Sequence, residues 1–511
     1  MIAFSTLERG YKRLARRKVL CCFGTAAFVL MIRAVLLPIW PIPAPGIYDE
    51  FSYQLQADTF AHARLANPVH PMWQFFETLF VIQQPTYASR YPPAQGLAMA
   101  LGQVVFGHPW YGVWLSCGAL MAAICWALQG WVPGRWALAG AAISLHLCLM
   151  TYWMNGYWGG AVPAIGGALL VGSFERIRRQ GPRAWGWVAG LGVVVLMYSR
   201  PFEGGLLCLP VLAGLAFQRK SRGALPPALL VVALGLAGLA YYNFRVTGRP
   251  LQMPYQEYYD QYETVAPLSV VDALPPKFYR HAIFEWVDRG WALDLWQHSR
   301  TAGFALTRLR DWNKLTAMVF GNSLWLIPVL LCLPALLRSQ KSRWLVGFAS
   351  AMVAASAIEV NLFAHYAAPF LAVFVILAVV GLRHTRKWAP LVLILLVGHR
   401  AAFDTWRIFT DSTPDRFKSN NAGKSAIERD LAERDQDSGH PARHVVLVRY
   451  SKPRSPHEEW VYNPADIDSA PVVWARDMGD EENAKLKAYY PGRTFWRFDP
   501  DVSATNLVRE H

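Results

Sequence analysis

The polar segments of this chain lack cysteine. The sequence has 511 residues and seven cysteines, and all seven lie in apolar stretches: Cys21, Cys22, Cys117, Cys125, Cys148, Cys208 and Cys332. Polar loops without cysteine argue against a disulfide framework and against a Cys-type zinc site. Charged residues are also scarce, at 17% of the chain, which is below the usual share in soluble proteins.

Apolar residues dominate instead. They make up 54% of the sequence, which also contains 22 tryptophans, and they fall in repeated runs that predict a polytopic membrane protein. The net charge of +15 could indicate a nucleic-acid partner, but the basic residues form short clusters between apolar runs. That pattern is typical of cytoplasmic loops.

The apolar runs predict about eleven transmembrane helices. The N-terminus is expected in the cytoplasm and the C-terminus on the outer face, and the short run 94–107 is expected to be re-entrant or half-buried rather than spanning. The runs lie at 19–40, 94–107, 110–131, 135–152, 157–175, 185–199, 204–218, 226–242, 315–337, 344–360, 367–382 and 388–400.

Three polar regions are then expected on the outer face. They are a first loop at 41–93, an aromatic region at 243–314, and the segment from 402 to the C-terminus. We therefore divide the chain into a membrane domain, 1–401, and a C-terminal domain, 402–511. Strand-like runs at 444–450 and 471–477 and a helix-compatible run at 481–490 predict a small soluble α/β domain, preceded by a charged linker at 428–440.

The first outer loop begins with an acidic pair, Asp49 and Glu50, in the stretch GIYDEFSYQLQADTF. Tyr48, Phe51 and Leu55 follow the i, i+3, i+7 spacing of an amphipathic helix, so the pair is predicted on a helix at the membrane surface. Carboxylates at a membrane interface are costly unless they are solvated or used. An ordinary acidic pair that caps the loop helix is the alternative.

The same loop closes with SRYPPAQG, in which Arg90 and Tyr91 precede two prolines. A cation beside a carboxylate pair suits a substrate with a hydroxyl to deprotonate and a phosphate to hold. An arginine that reaches for lipid headgroups is the alternative for Arg90.

These features together resemble the GT-C glycosyltransferases, which include the protein O-mannosyltransferases and the lipid A aminoarabinose and galacturonic acid transferases. The resemblance covers roughly residues 1–400. It lies in the acidic pair after the first span, in SRYPPAQG, in VVVLMYSRPFEGGLLCLP (193–210) and in FAHYAAPF (363–370). The segment at 458–477 is similar to the periplasmic tail of an uncharacterised bacterial branch.

The resemblance implies a polytopic enzyme of the bacterial inner membrane that moves a sugar from a polyprenyl phosphate to a lipid, glycan or protein acceptor on the outer face. Asp49 would be the general base and Glu50 its helper in an inverting transfer, while Arg90 and Arg200 would bind the donor phosphate. Further substrate contacts are expected from Tyr91, Glu203, His365 and Tyr366, although Glu203 also suits an ion pair with Arg200.

The chain departs from the family pattern because its first loop has no Asp-x-Asp triplet. We therefore predict no metal ligands, and a divalent cation such as Mg²⁺ or Mn²⁺ stays an open alternative. Two other classes remain: a transporter or flippase, and a non-catalytic envelope assembly protein. A transporter should carry paired half-repeats and polar breaks near the membrane midplane, whereas the polar residues here gather in the outer loops.

Overall fold

The computed structural model describes residues 2–181, 183–410, 421–438, 443–450, 456–503 and 507–510. Within them the chain is mostly helical. The helices up to residue 247 are α1 (Ile2–Arg16), α2 (Lys18–Val35), α3 (Tyr48–Ala61), α4 (Pro93–Phe106), α5 (Trp110–Trp131), α6 (Gly134–Ile143), α7 (Leu145–Met150), α8 (Ala161–Gln180), α9 (Ala184–Met197), α10 (Pro201–Phe217) and α11 (Leu225–Thr247).

Eleven further α-helices follow in the described residues, with a π-helical turn at Trp286–Ala292. They are α12 (Pro254–Tyr262), α13 (Ala282–Glu285), α14 (Leu293–Ser299), α15 (Phe304–Phe320), α16 (Leu326–Leu331), α17 (Leu333–Arg338), α18 (Gln340–Ser356), α19 (Leu371–His384), α20 (Ala389–Thr410), α21 (Asn421–Ser438) and α22 (Asp480–Tyr489).

Among the described residues, three helical segments are long and apolar enough to cross a membrane: Lys18–Val35, Trp110–Trp131 and Arg219–Thr247. Four further apolar helices are shorter, at Gly134–Met150, Ala184–Met197, Pro201–Phe217 and Ala368–His384. The chain is thus a mostly helical protein with several apolar helices. The predicted number of eleven spans stays a prediction.

The sequence predicts one apolar segment over 315–337, but the structure breaks this segment into separate helices. Helix α15 ends at Phe320, and the helical segment Ser323–Leu331 that follows is bent from it by 94°. Gly321 adopts a left-handed φ of 84°, which stops α15, and the Asn322 side chain accepts a hydrogen bond from the Leu324 amide and starts the next turn.

Helices α4 and α5 pack closely through glycine. A Cβ added to Gly112 would meet the carbonyl group of Ala98, and one added to Gly102 would meet the Gly112 backbone. We expect Gly112→Ala to destabilise the protein by about 1–3 kcal/mol, because backbone on both sides leaves no room for the methyl group. Thermal unfolding of the detergent-solubilised protein measures this.

The matched control is Gly347→Ala on α18, where an added Cβ meets nothing within 4 Å. Alanine in a helix interior is favoured over glycine by about 0.5–1 kcal/mol, so this variant should be unchanged or slightly more stable. Equal unfolding temperatures for the two variants would contradict the close packing of α4 on α5.

The first outer loop folds around helix α3. A two-stranded antiparallel hairpin, β1 (Val81–Ile82) with β2 (Ala88–Ser89), packs beside it. The Ser52 hydroxyl donates to the carbonyl oxygen of Phe80 at 2.6 Å and lies 2.7 Å from the Ser89 hydroxyl. These contacts hold the hairpin, and the residues after it, against the face of α3 that carries Ser52.

The C-terminal segment contains a four-stranded mixed sheet in the order β4-β3-β5-β6. Its strands are β3 (Arg443–Val448), β4 (Val472–Arg476), β5 (Arg493–Phe498) and β6 (Leu507–Arg509). Strand β3 is parallel to β4 and to β5, and β6 is antiparallel to β5. Strands β3 and β4 and helix α22 coincide with the strand-like and helix-compatible runs of the sequence, whereas β5 and β6 were not predicted. The domain boundary at 401/402 stays a prediction.

The predicted charged linker is wrong over 428–438. This stretch is part of helix α21, whose Ile427 and Leu431 are buried in the same apolar cluster as Trp474 and Phe498 of the sheet. Two apolar positions four residues apart are enough to fix a charged helix on a sheet, since they lie on one face. The last two residues of the predicted linker, 439 and 440, lie outside the described residues.

The three regions predicted on the outer face meet at Glu77 of the first loop. Its carboxylate accepts hydrogen bonds from Tyr262 at 3.0 Å and from Arg280 at 2.9 Å, both in the second outer region. Its backbone carbonyl accepts from Arg476 of β4 at 2.7 Å, and Arg476 in turn pairs with Glu459 at 2.7 Å. Buried charges need such partners, so this junction ties the C-terminal segment to the first loop.

Candidate active site

The acidic pair lies in the first turn of α3, as the amphipathic spacing predicts. The helix begins after Ile47, and Asp49 and Glu50 are its first acidic residues. Carboxylates are favourable at this position because the unpaired amides of a helix N-terminus carry partial positive charge. Asp49 is partly exposed and Glu50 is buried, so the two adjacent carboxylates have different surroundings.

Asp49 accepts a short hydrogen bond from the Tyr91 hydroxyl. The Tyr91 ring stacks on Tyr53 at 4.2 Å between centroids, which fixes the hydroxyl relative to the helix. Burial raises the pKa of Asp49 to about 6, against the opposing effects of the Tyr91 hydrogen bond and of the positive charges of Arg90 and Arg200. A carboxylate with this pKa is ionised at neutral pH and is a competent general base.

Arg90 lies beside this carboxylate and already has an anionic partner. Its guanidinium binds Glu263 at 2.5 Å and lies over the rings of Phe80 at 4.2 Å and Tyr258 at 4.6 Å. Its Nε is buried without a hydrogen-bond partner. The structure therefore holds Arg90 between an anionic partner and two aromatic rings.

Arg200 is the residue before helix α10, in the turn after α9. Its guanidinium lies 4.5 Å from the centre of the Tyr366 ring and 3.8 Å from the Glu203 carboxylate. The backbone amide of Ala94, at the start of α4, donates to the carbonyl oxygen of Tyr198 at 2.9 Å. This bond ties the turn that carries Arg200 to the end of the first loop.

His365 and Tyr366 belong to the same surroundings. His365 is buried, and its Nδ1 lies 2.7 Å from the Tyr152 hydroxyl. Burial, with the positive charge of Arg200 as a smaller cause, holds the pKa of His365 well below its usual value. A neutral imidazole is suited to hydrogen bonding with a sugar or phosphate, whereas Tyr366 presents its ring to Arg200.

Glu50 binds two backbone amides. One of its oxygens accepts from the Gly46 amide at 2.5 Å, and the other accepts from the Tyr157 amide at 2.7 Å. Gly156 allows this approach, because a Cβ there would meet Glu50 at 2.6 Å. The carboxylate thus links the start of α3 to the segment between α7 and α8, an arrangement that favours a positioning role over proton transfer.

The positive charges of Arg90 and Arg200 lower the pKa of Asp49 against the effect of burial. The same two charges act on Tyr366, so these groups share one electrostatic environment. Sequence reasoning missed Glu263 and Tyr152. Glu263 lies in an aromatic stretch, and nothing in that stretch indicated a site residue except its place in a region predicted on the outer face. In the part of the chain that the structure describes, no three His, Cys, Asp or Glu residues cluster as metal ligands.

Solved structures with this fold are glycosyltransferases. ArnT from Cupriavidus metallidurans, a lipid A aminoarabinose transferase, is 14% identical with a TM-score of 0.53, and the match covers 94% of each chain. ArnT bound to undecaprenyl phosphate is 13% identical with a TM-score of 0.51, over 93% of this chain and 94% of that one.

The oligosaccharyltransferase from Archaeoglobus fulgidus in its apo form is also similar. It is 13% identical with a TM-score of 0.51, over 94% of this chain and 69% of the other. No protein-family model and no curated protein matches the sequence. Both neighbours belong to the GT-C superfamily, so the chain has the GT-C fold that its sequence motifs predict.

Proposed function

We propose that this protein is an inverting membrane glycosyltransferase. It takes a sugar from a polyprenyl-phosphate donor and transfers it to an envelope acceptor on the outer face of the bacterial inner membrane. The observation that carries the proposal is a partly exposed carboxylate, Asp49, beside two arginines, on a fold shared over nearly the whole chain with a protein solved with undecaprenyl phosphate.

Asp49 acts as the general base. It takes the proton of the acceptor hydroxyl while that oxygen attacks C1 of the sugar, and the bond from C1 to the phosphate oxygen breaks on the opposite side. The electron pair leaves with the phosphate, so the configuration at C1 inverts. Tyr91 keeps the carboxylate turned towards the substrate through its hydrogen bond, and a base held in this way contributes about 10²–10⁴-fold to the rate.

Arg200 and Arg90 stabilise the phosphate that leaves. Charge develops on this group in the transition state, and fixed guanidinium donors stabilise it without reorganisation. Arg200 is held by Tyr366 and Glu203. Arg90 is held by Glu263 and by the rings of Phe80 and Tyr258. Glu50 positions the start of the helix that carries the base.

A transfer assay tests this function. The purified protein in proteoliposomes is given a panel of undecaprenyl-phosphate sugars, each labelled in the sugar, together with an envelope extract. We expect label to move from one donor into the extract, and the product anomer to be opposite to that of the donor. Transfer with retained configuration would overturn the mechanism, and failure of every donor in the panel would count against the donor class.

The pH profile follows from the ionisation of Asp49. Because the base form is needed and the pKa of Asp49 is raised to about 6, we expect kcat/KM to fall about tenfold per pH unit below that value. Tyr91→Phe removes a hydrogen bond that stabilises the carboxylate, so the pKa should rise and the acidic limb should move to higher pH. If kcat/KM falls at the same acidic pH in Tyr91→Phe as in the wild type, Asp49 is not the titrating group.

A further inference from the structure

A groove opens between helices α2, α5, α8 and α9 on the membrane face opposite to Asp49. Helix α2 begins at Lys18 and leads from Val35 into the first outer loop, so its Lys18 end lies about 27 Å from that loop. The groove has a volume of about 890 Å³. Its apolar walls include Val19, Phe23, Ala26, Ala123, Leu169 and Val188.

The mouth of this groove faces the surrounding lipid. Val19 and Phe23 on its edge are each 69% exposed, and apolar side chains with that exposure at a membrane helix contact acyl chains. A water-soluble anion therefore fits the walls poorly. A lipid chain fits them because its methylene groups pack against the apolar side chains of the groove.

Arg176 places a positive charge in the wall. Its guanidinium lies 3.9 Å from the ring centre of Trp126 and 5.3 Å from that of Trp185. It donates to the carbonyl oxygens of Gly172 at 2.8 Å and Trp126 at 2.7 Å. Arginine has five N–H donors, so three are left for a ligand.

The carboxylate nearest to Arg176 in sequence is engaged elsewhere. Glu175 binds Arg178 at 2.9 Å and Lys341 at 3.2 Å. Among the described residues, Arg176 forms no ion pair within 4.0 Å, because the neighbouring carboxylate of Glu175 binds other cations. A guanidinium in an apolar wall without a counter-anion is unfavourable, which is a reason for an anion to bind there.

Two further cations stand on the rim. Lys18 is exposed and is free of any ion pair within the described chain. The Arg179 side chain is 62% exposed, and it reaches Glu175 only at 4.0 Å. Both line the same groove as Arg176, so the positive charge lies where a lipid headgroup would be.

We propose that this groove binds an anionic phospholipid of the inner leaflet. The phosphate contacts Arg176, the rim cations Lys18 and Arg179 face the headgroup, and an acyl chain lies along the apolar walls. Basic pockets between transmembrane helices at the cytoplasmic side bind anionic headgroups in this way. The site is separate from the candidate active site and does not depend on the proposed transferase activity.

Native mass spectrometry of the detergent-purified full chain tests the proposal, with dioleoylphosphatidylglycerol and dioleoylphosphatidylcholine as the added lipids. We expect the wild type to retain phosphatidylglycerol and to lose phosphatidylcholine at the same activation energy. The double variant Lys18→Gln/Arg179→Gln should bind phosphatidylglycerol roughly 25-fold more weakly, at about fivefold for each charge removed. Arg176→Gln should also weaken binding.

The matched control is Arg219→Gln/Lys220→Gln, which removes two exposed cations from the turn before α11 at the same membrane face. This control should bind phosphatidylglycerol as the wild type does. Equal losses in the two double variants would overturn the site in favour of diffuse surface charge, and equal retention of both lipids would overturn it outright. Undecaprenyl phosphate is also added in an amount equal to phosphatidylglycerol. If it displaces phosphatidylglycerol from the wild type but not from Lys18→Gln/Arg179→Gln, the groove prefers the polyprenyl phosphate, and the choice of lipid is overturned. If Arg176→Gln does not fold, the rim variants still decide.

Discussion

Asp49→Asn is expected to lower the transfer rate by about 10²–10⁴-fold, with little change in folding. Asparagine keeps the size of the side chain and can still accept the hydrogen bond from Tyr91, but it cannot take a proton from an acceptor hydroxyl. We expect the loss in kcat and not in donor affinity, because the carboxylate acts in the transition state. Initial rates across donor concentrations measure both quantities.

Asp58→Asn is the matched control for this variant. Asp58 lies on the same helix, and its carboxylate oxygens accept hydrogen bonds from Gln103 at 3.0 Å and from the Ala465 amide at 2.8 Å. It should keep transfer within a few-fold of the wild type, since it is not among the groups around Asp49. Equal loss in both variants would mean that helix α3 is merely sensitive to charge removal.

Arg200→Ala is expected to weaken donor binding by about 10–100-fold. An interaction between a charged donor and a phosphate contributes about 1.5–3 kcal/mol, and the loss should be visible with undecaprenyl phosphate itself, without a sugar. Arg200→Lys should be intermediate, because lysine keeps the charge and loses the planar fork. A binding titration of undecaprenyl phosphate by the quenching of tryptophan fluorescence measures these affinities.

Two controls separate phosphate binding from structural damage. Arg200→Ala leaves Glu203 buried without its partner at 3.8 Å, so Arg200→Gln/Glu203→Gln removes both charges and should bind the donor as weakly as Arg200→Ala. Arg245→Ala removes an exposed arginine that lies over a tyrosine ring, 5.9 Å from the centre of Tyr241, and should bind normally. Normal donor binding in the double variant would refute a role for Arg200.

The sequence predicted those parts of the site that depend on residues close to one another in the chain. The spacing of Tyr48, Phe51 and Leu55 predicted helix α3, and two short apolar runs around Arg200 predicted the turn that carries it. Both signals are set by side chains within one or two helical turns. The GT-C fold was expected from a resemblance to that superfamily, which a few short motifs carry.

Partners distant in the sequence could not be predicted. Arg90 pairs with a glutamate 173 positions away, and the Glu50 carboxylate binds an amide 107 positions away. A single sequence holds no record of which distant groups meet, so it could not tell which of the two adjacent carboxylates is the base. The structure gives Asp49 a tyrosine hydroxyl and Glu50 two backbone amides, and the two roles separate.

The junction at Glu77 bears on how such proteins can be recombined. Arg476 and Glu459 form a buried pair, and Arg476 also donates to the backbone carbonyl of Glu77 in the first loop. A C-terminal segment from another protein would leave that carbonyl without its donor. A chimera that exchanges only the residues after 402 should therefore express poorly. Exchange of the first loop together with the C-terminal segment should restore the folded protein, because both contacting surfaces then come from the same parent protein.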